Sequence, residues 1–305
     1  MNYDNCNDLK INDDWVSQGG NYRDIKISGD GTINGDVNCR TISVSGDAEL
    51  KGNVYCEDLF KVSGDVDIKN NLQCGTLRVS GDVDVHENLS AKGELKVSGD
   101  VNVDGRVDCG TLKISGDIDV KDDLYCSGLF HLSGDANIGG NLEADKIEAS
   151  GDIECGGKLT GRDIVISGDI AVNDGVEGEK ITLKGEKITL SGDTNSNGLI
   201  NGDEIYITMS GHHHIKEIGG RFVAVTENIS MSGRIGSLFA NAFGNKGSLQ
   251  CECIEGDDIL LKNSKVDIVR GKNVTIGKGS IINKVEYSGE LIIEDNGIVK
   301  ESVKI

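Results

Sequence analysis

The sequence predicts an all-β chain, a single parallel β-helix (β-solenoid) of triangular coils, each 17–18 residues long. Three observations carry this reading. The triplet Ser-Gly-Asp occurs ten times, with its Ser at 28, 45, 63, 80, 98, 115, 133, 150, 167 and 191. The first eight steps are 17, 18, 17, 18, 17, 18, 17 and 17 residues, whereas a helical repeat needs roughly 33 to 47. Between triplets, apolar and polar residues alternate with period two, as in strands with one buried face. Finally, 43 Gly, no Pro and 4% aromatic residues suit a thin aliphatic core that turns often and whose backbone N–H groups are committed to ladders.

One coil shows the pattern. From Leu112 the apolar positions are Leu112, Ile114, Ile118, Val120, Leu124, Cys126 and Leu129. Three short strands are expected, 112–114, 118–120 and 124–126. Between them Ser-Gly-Asp, Lys-Asp-Asp and Ser-Gly supply turn residues, so three faces and three corners make a triangle. The Gly of each triplet falls on an inward position, where a side chain would crowd the bend. Regular coils are expected over 9–173, irregular coils with loop insertions over 174–253, and C-terminal coils over 254–305. Residues 1–305 then read as one solenoid of about sixteen coils, roughly 75 Å long at sheet spacing. In the irregular part the triplet steps stretch to 24, 19 and 22 residues, and Gly-Glu-Lys-Ile-Thr-Leu is duplicated from 178 and from 185.

The formal net charge of −20 repels nucleic acid and anionic head groups, which excludes both as charge-driven partners. Met1-Asn2-Tyr3-Asp4-Asn5-Cys6 has neither a basic nor an apolar stretch, and no apolar run reaches membrane-spanning length. With nine Cys, these features predict reduced thiols, a cytoplasmic location and no transmembrane segment.

Several residue clusters invite a chemical reading. Cys39, Cys56, Cys74, Cys109 and Cys126 each lie eleven residues after a triplet Ser, but Ala91 and Ala144 fill the same slot. Since Ala is no ligand, the column is read as small core residues rather than as a metal site. Cys251 and Cys253 form C-x-C, which is weak for zinc. The triplet Asp residues should form a vertical carboxylate column. It reads either as a cation site or as a solvated corner, and the latter is preferred because the nine-residue calcium-solenoid period is missing. A column of Lys26, Lys61, Arg78, Lys96 and Lys113 offsets part of its charge. His86 and His131 fall on outward positions. His212-His213-His214 is placed in a loop, and three successive residues on a strand could not all face one ion. No Ser-His-Asp spacing, phosphate loop or dinucleotide fingerprint is found, so no catalytic residue, cofactor or metal is assigned.

The stretch Leu238-Phe239-Ala240-Asn241-Ala242-Phe243 gathers aromatics in a chain that has few. It reads as a cap folded over a coil edge or as an apolar patch for a partner. The ends of the array matter for a different reason. A terminal coil exposes unpaired strand edges, so Leu9, Ile11, Trp15, Ile292 and Ile298, together with Leu238, Phe239 and Phe243, are the expected contacts for assembly or partners.

Asp8-Leu9-Lys10-Ile11-Asn12, Gly31-Thr32-Ile33-Asn34-Gly35-Asp36-Val37, Glu217-Ile218-Gly219-Gly220, Ile254-Glu255-Gly256-Asp257 and Val269-Arg270-Gly271-Lys272-Asn273-Val274-Thr275-Ile276-Gly277 through Val285-Glu286-Tyr287 together resemble the bactofilins, the polymer-forming bacterial cytoskeletal proteins, and in particular their longer bacillar and clostridial branch. The resemblance implies a right-handed triangular β-helix that assembles end to end without nucleotide. It also implies roles in cell shape, envelope organisation or motility. Copies of the chain itself would be the main partner, alongside other cytoskeletal or envelope-associated proteins that could bring it to a membrane. Two features depart from the short members: Pro-rich tails and an apolar N-terminal anchor are both missing here. The sequence reading is therefore a self-assembling, non-enzymatic scaffold, with a non-polymerising rod that docks protein partners as the alternative.

Overall fold

The computed structural model describes residues 3–12, 15–178, 180–226, 247–294 and 296–305. Among these are twenty-nine strands and one 3-10 turn, Tyr3–Asn5. The chain divides into two compact units, Met1–Ser150 and Gly151–Ile305, and in each the strands stack in parallel register as a β-solenoid.

In the first unit a coil is written by Val107–Ile114, Ile118–Val120 and Leu124–Leu132. The expected three short strands are thus two per coil, because the third face and the next first face run as one bent strand. The bend holds either two or three residues. Cys109 and Leu112 are separated by two, Cys126 and Phe130 by three, and pairing resumes as Leu112 on Phe130. Likewise three residues separate Cys56 from Phe60 and two separate Cys74 from Leu77. This single extra residue explains why triplet steps alternate between 18 and 17. It also corrects the assignment of Leu129 to the core. After a three-residue corner the inward side chain is the fourth, so Phe130 is fully buried and Leu129 lies beside Lys146 at the surface.

Inward columns of Val, Ile, Leu, Cys and Ala fill a core one side chain deep. Full burial of each large aliphatic contributes about 1.5–3 kcal/mol. At the triplet corner, a Cβ on Gly99 would stand 2.6 Å from the Gly81 carbonyl oxygen and 2.3 Å from Asp82 Oδ1. Glycine is required there by the close approach of stacked corners and not by a left-handed backbone.

The second unit keeps the three faces through 153–155, 159–167, 170–172 and onward, with longer strands such as Thr194–Thr208, His212–Thr226 and Ser248–Leu261. One sequence expectation is corrected here. The step of 24 residues before Ser191 is no loop insertion. Lys184 takes the slot above Ser167, while Ser191-Gly192-Asp193 follows 188–190 at the next corner, where a Cβ on Gly192 would touch Asp174 backbone. The tenth triplet therefore leaves the column of the other nine. The two copies of the duplicated hexapeptide do not stack on each other. Its first copy pairs with 163–167 and its second with 170–172, so the copies lie on successive faces.

Candidate assembly surfaces on the terminal coils

Interior corners are closed by side-chain ladders. The backbone N–H of Asp47 donates to Asp30 Oδ1, and Asp65 to Asp47, Asp82 to Asp65, Asp100 to Asp82, Asp117 to Asp100 and Asp135 to Asp117, at 2.8–3.2 Å. In the second unit Asp169 N–H donates to Asp152 and Lys187 N–H to Asp169. The carboxylate column is thus a hydrogen-bond ladder. Each Asp supplies an acceptor for a corner N–H that no strand partner reaches. A second corner uses an amide ladder that the sequence reading missed. Asn53 donates to Asp36 Oδ1 through its backbone N–H and Nδ2, Asn71 Nδ2 donates to Asn53 Oδ1, and Asn88 repeats this on Asn71. The recurrence of Asn or Asp at 36, 53, 71 and 88 was its only signal.

The cysteine column is packed as expected. Ala91 stands in register between Cys74 and Cys109, and Ala144 beside Cys126. Burial pushes the Cys74 thiol up, and a thiol–thiol hydrogen bond with burial does the same to Cys39 and Cys109. Cys39, Cys74 and Cys109 are held as thiols in this way, which are poor nucleophiles, whereas the hydrogen bond with Cys109 lowers the Cys126 thiol. His86 lies on the surface between Asp67 and Asp104, 3.2 Å from each.

The histidine triplet is not a loop. It opens the strand His212–Thr226, so the alternation exposes His212 and His214 and turns His213 inward. His213 is 2% exposed, and its Nε2–H donates to the Thr208 carbonyl oxygen at 2.8 Å. Burial holds its pKa below the ordinary value. Ser191, Thr208 and Ser210 form a hydroxyl cluster nearby in the chain, 2.7–3.0 Å apart.

The ends are built differently. Leu9–Ile11 pairs only with 25–27 and Trp15–Asn21 only with 31–38. At the other end, Leu291–Ile293 pairs only with 274–276 and Ile298–Lys304 only with 281–287. Among the described residues each of these four strands has one free edge. Of the ten exposed large hydrophobic residues described, seven lie on the first and last coils. They are Trp15 (66% exposed), Val16 (55%), Ile292 (40%), Ile293 (50%), Ile298 (50%), Val303 (37%) and Ile305 (75%). Of the contacts expected from sequence, Trp15, Ile292 and Ile298 are exposed, Leu9 is half-buried and Ile11 is buried in the core. Leu238, Phe239 and Phe243 lie outside the described residues. The sequence reading misses Val16, Ile293, Val303 and Ile305, although their position in a coil with a neighbour on one side only is the available signal. Tyr3 is buried at the N-terminal end, where burial, with Tyr55 and Glu57 adding to it, raises its hydroxyl to about 12.

No helix among the described residues is long and apolar enough to cross a membrane. Residues 60–162 match the family model of the bactofilins, described as polymer-forming cytoskeletal. Two curated relatives from Bacillus subtilis (strain 168), both described as uncharacterized, are similar over 109 residues. YhbF is 34% identical over 35% of this chain and 42% of its own length, and YhbE is 38% identical over 35% and 44%. The match therefore spans less than half of either relative. No solved structure matches. The family match falls on the regular triplet coils, between the segments that first suggested the resemblance.

Proposed function

Because the chain carries a bactofilin domain over residues 60–162, we propose that it is a self-assembling cytoskeletal scaffold whose copies join through their terminal coils. The observation that supports this reading is the concentration of exposed apolar side chains on the strands with free edges. An unpaired edge and an apolar surface are both relieved by one event, the stacking of another coil. Interior coils offer no such gain, since their edges are paired and their outer faces carry Asp, Asn and Lys. The chemistry required is pairing and burial, with no reaction and no nucleotide. The scaffold acts in the cytoplasm, where it organises cell shape, envelope or motility components, and it reaches a membrane only through partners. Electron microscopy of purified full-length protein in nucleotide-free buffer tests the reading. Filaments are expected. Isolated short rods at every concentration would overturn it in favour of a docking rod.

A further inference from the structure

Beyond assembly, we propose that the outward column Lys61, Arg78, Lys96 and Lys113 of the first unit is a docking stripe for an acidic α-helix of a partner protein. The four side chains stand on successive rungs of one face, in register with one another. Lys10 and Lys26 continue the column toward the N-terminus, with Ser43 as a gap, and His131 and Glu148 end it on the other side. Along one flank run the exposed residues Ser63, Ser80, Ser98 and Ser115. Along the other run Leu59, Thr76, Glu94 and Thr111, all half-buried. Glu94 is the one carboxylate on either flank of these four rungs.

The coils themselves give this column no structural purpose. Like charges directly opposite one another on paired strands are destabilising. The triplet carboxylates offset that cost by accepting corner N–H groups, but an ammonium group accepts nothing. Other lysines of this unit are paired locally: Lys51 with Glu49, Lys69 with Asp67 and Lys121 with Asp104. In the column Arg78 and Lys113 are paired, both with Glu94. Lys26, Lys61 and Lys96 are exposed and form no ion pair among the described residues. The charge of the stripe is therefore largely open to a partner.

Charge and spacing define that partner. The outward column of the face after the triplet corner is acidic, with Glu49, Asp67, Asp84 and Asp119 in one line. A broad anionic surface laid on the stripe would also meet the triplet carboxylates, whereas a helix can lie on the stripe alone. The Debye length of about 8 Å at physiological salt screens carboxylates farther around the corner. Rungs repeat at about 4.8 Å, which sets Lys113 about 14 Å from Lys61 along the stack. A helix with Glu at i, i+4, i+7 and i+11 spreads them over about 16 Å. An extended strand shows every second residue on one side, so four carboxylates would span about 20 Å. The flexible lysine stems absorb the smaller mismatch and not the larger.

Fluorescence anisotropy on the full-length protein tests the stripe. The probe is a labelled, alanine-based helical peptide with Glu at every third or fourth position along one face. At about 0.1 M salt the parent should bind it, and added salt should release it. Lys61→Gln with Lys96→Gln should weaken binding about tenfold. Because the column does nothing for the coils, this variant should melt at the parent's temperature or above. Lys51→Gln with Lys69→Gln removes the same charge from another corner and should leave binding unchanged. Lys61→Glu with Lys96→Glu should lose the Glu peptide and take up one with Lys in its place. Equal weakening by the two Gln variants would mean attraction without a site. A folded parent that ignores the peptide would leave no site at all. A proline-interrupted peptide bound as tightly would replace the helix by an extended chain, and vesicles of anionic phospholipid bound in preference would make a membrane the partner. Each of these four results overturns the proposal, and none bears on end stacking, because the stripe lies on interior coils.

Discussion

Val120 and Ile293 hold the same inward position on the face that follows the triplet corner, yet Val120 is 0% exposed and Ile293 is 50% exposed. Their sequences do not explain this. Ile118–Val120 lies between two stacked coils, 101–103 and 136–138, whereas Leu291–Ile293 has one neighbour only. In a solenoid each coil's core is completed by the coils above and below it. A residue's burial is therefore a property of its place in the stack, and the last coil carries an unfinished core.

The largest contrast should appear when that position is charged. Val120→Asp leaves an unpaired carboxylate between two apolar layers and should cost about 3–5 kcal/mol. Ile293→Asp can keep its carboxylate in water and should change stability by no more than about 0.5 kcal/mol. Urea unfolding of both variants makes the comparison. Equal losses would erase the distinction between interior and terminal coils.

Next in size is the carboxylate ladder. Asp100→Ala removes the acceptor for the Asp117 N–H and should cost about 1 kcal/mol. Asp100→Asn retains an Oδ1 acceptor and removes one of a column of like charges, so it should be at least as stable as the parent. If Asn proved as damaging as Ala, the column would depend on its charge and the ladder account would be wrong.

A pH effect of similar size is expected at His213. Burial lowers its folded pKa below the ordinary 6.5, so the unfolded chain takes up the proton first as pH falls. The contribution of the neutral imidazole is present above about pH 6.5 and is lost as pH falls from there toward the depressed folded value. Asp193 and His212 are the charged neighbours that act on it, in opposite directions. His213→Gln should flatten the fall in melting temperature between pH 7 and pH 5. An unchanged slope would show that His213 takes no part in it.

The smallest interior effect should come from the cysteine column. Replacing Cys74 and Cys109 by Ala repeats what the chain already does at Ala91 and Ala144, and should cost about 1 kcal/mol or less at each site. Thermal melts of the double variant would settle it, and unfolding at room temperature would show that the thiols do more than fill space.

How far the sequence could be read depended on whether the repeat itself carried the information. The triplet columns, the parallel stacking and the small-residue slot at Ala91 and Ala144 were legible because many copies state them. Leu129 reads as the core residue in place of Phe130 because a corner of three residues and one of two look alike until pairing across it is known. The tenth triplet misled for the opposite reason, since the motif is intact but its corner has changed. His213 reads as a loop residue because it follows Ser210-Gly211, yet its register on Thr194 and Leu249 makes it a core position. At the ends, Trp15, Ile292 and Ile298 stood out as apolar residues without a covering coil. Ile11 does not belong with them, since it is 2% exposed although its strand has one free edge.

The claim that the terminal coils alone carry assembly is tested most directly by sedimentation velocity across a concentration series, on three proteins. These are the parent, an end variant with Ile292→Lys and Ile298→Lys, and a face variant with Asp119→Lys and Asp122→Lys on an interior coil. The parent and the face variant should shift together to large, concentration-dependent species, while the end variant stays a single copy with the parent's melting temperature. An end variant that is folded and sediments like the parent, or a face variant that alone fails to assemble, would place the contact on the lateral faces and contradict the account.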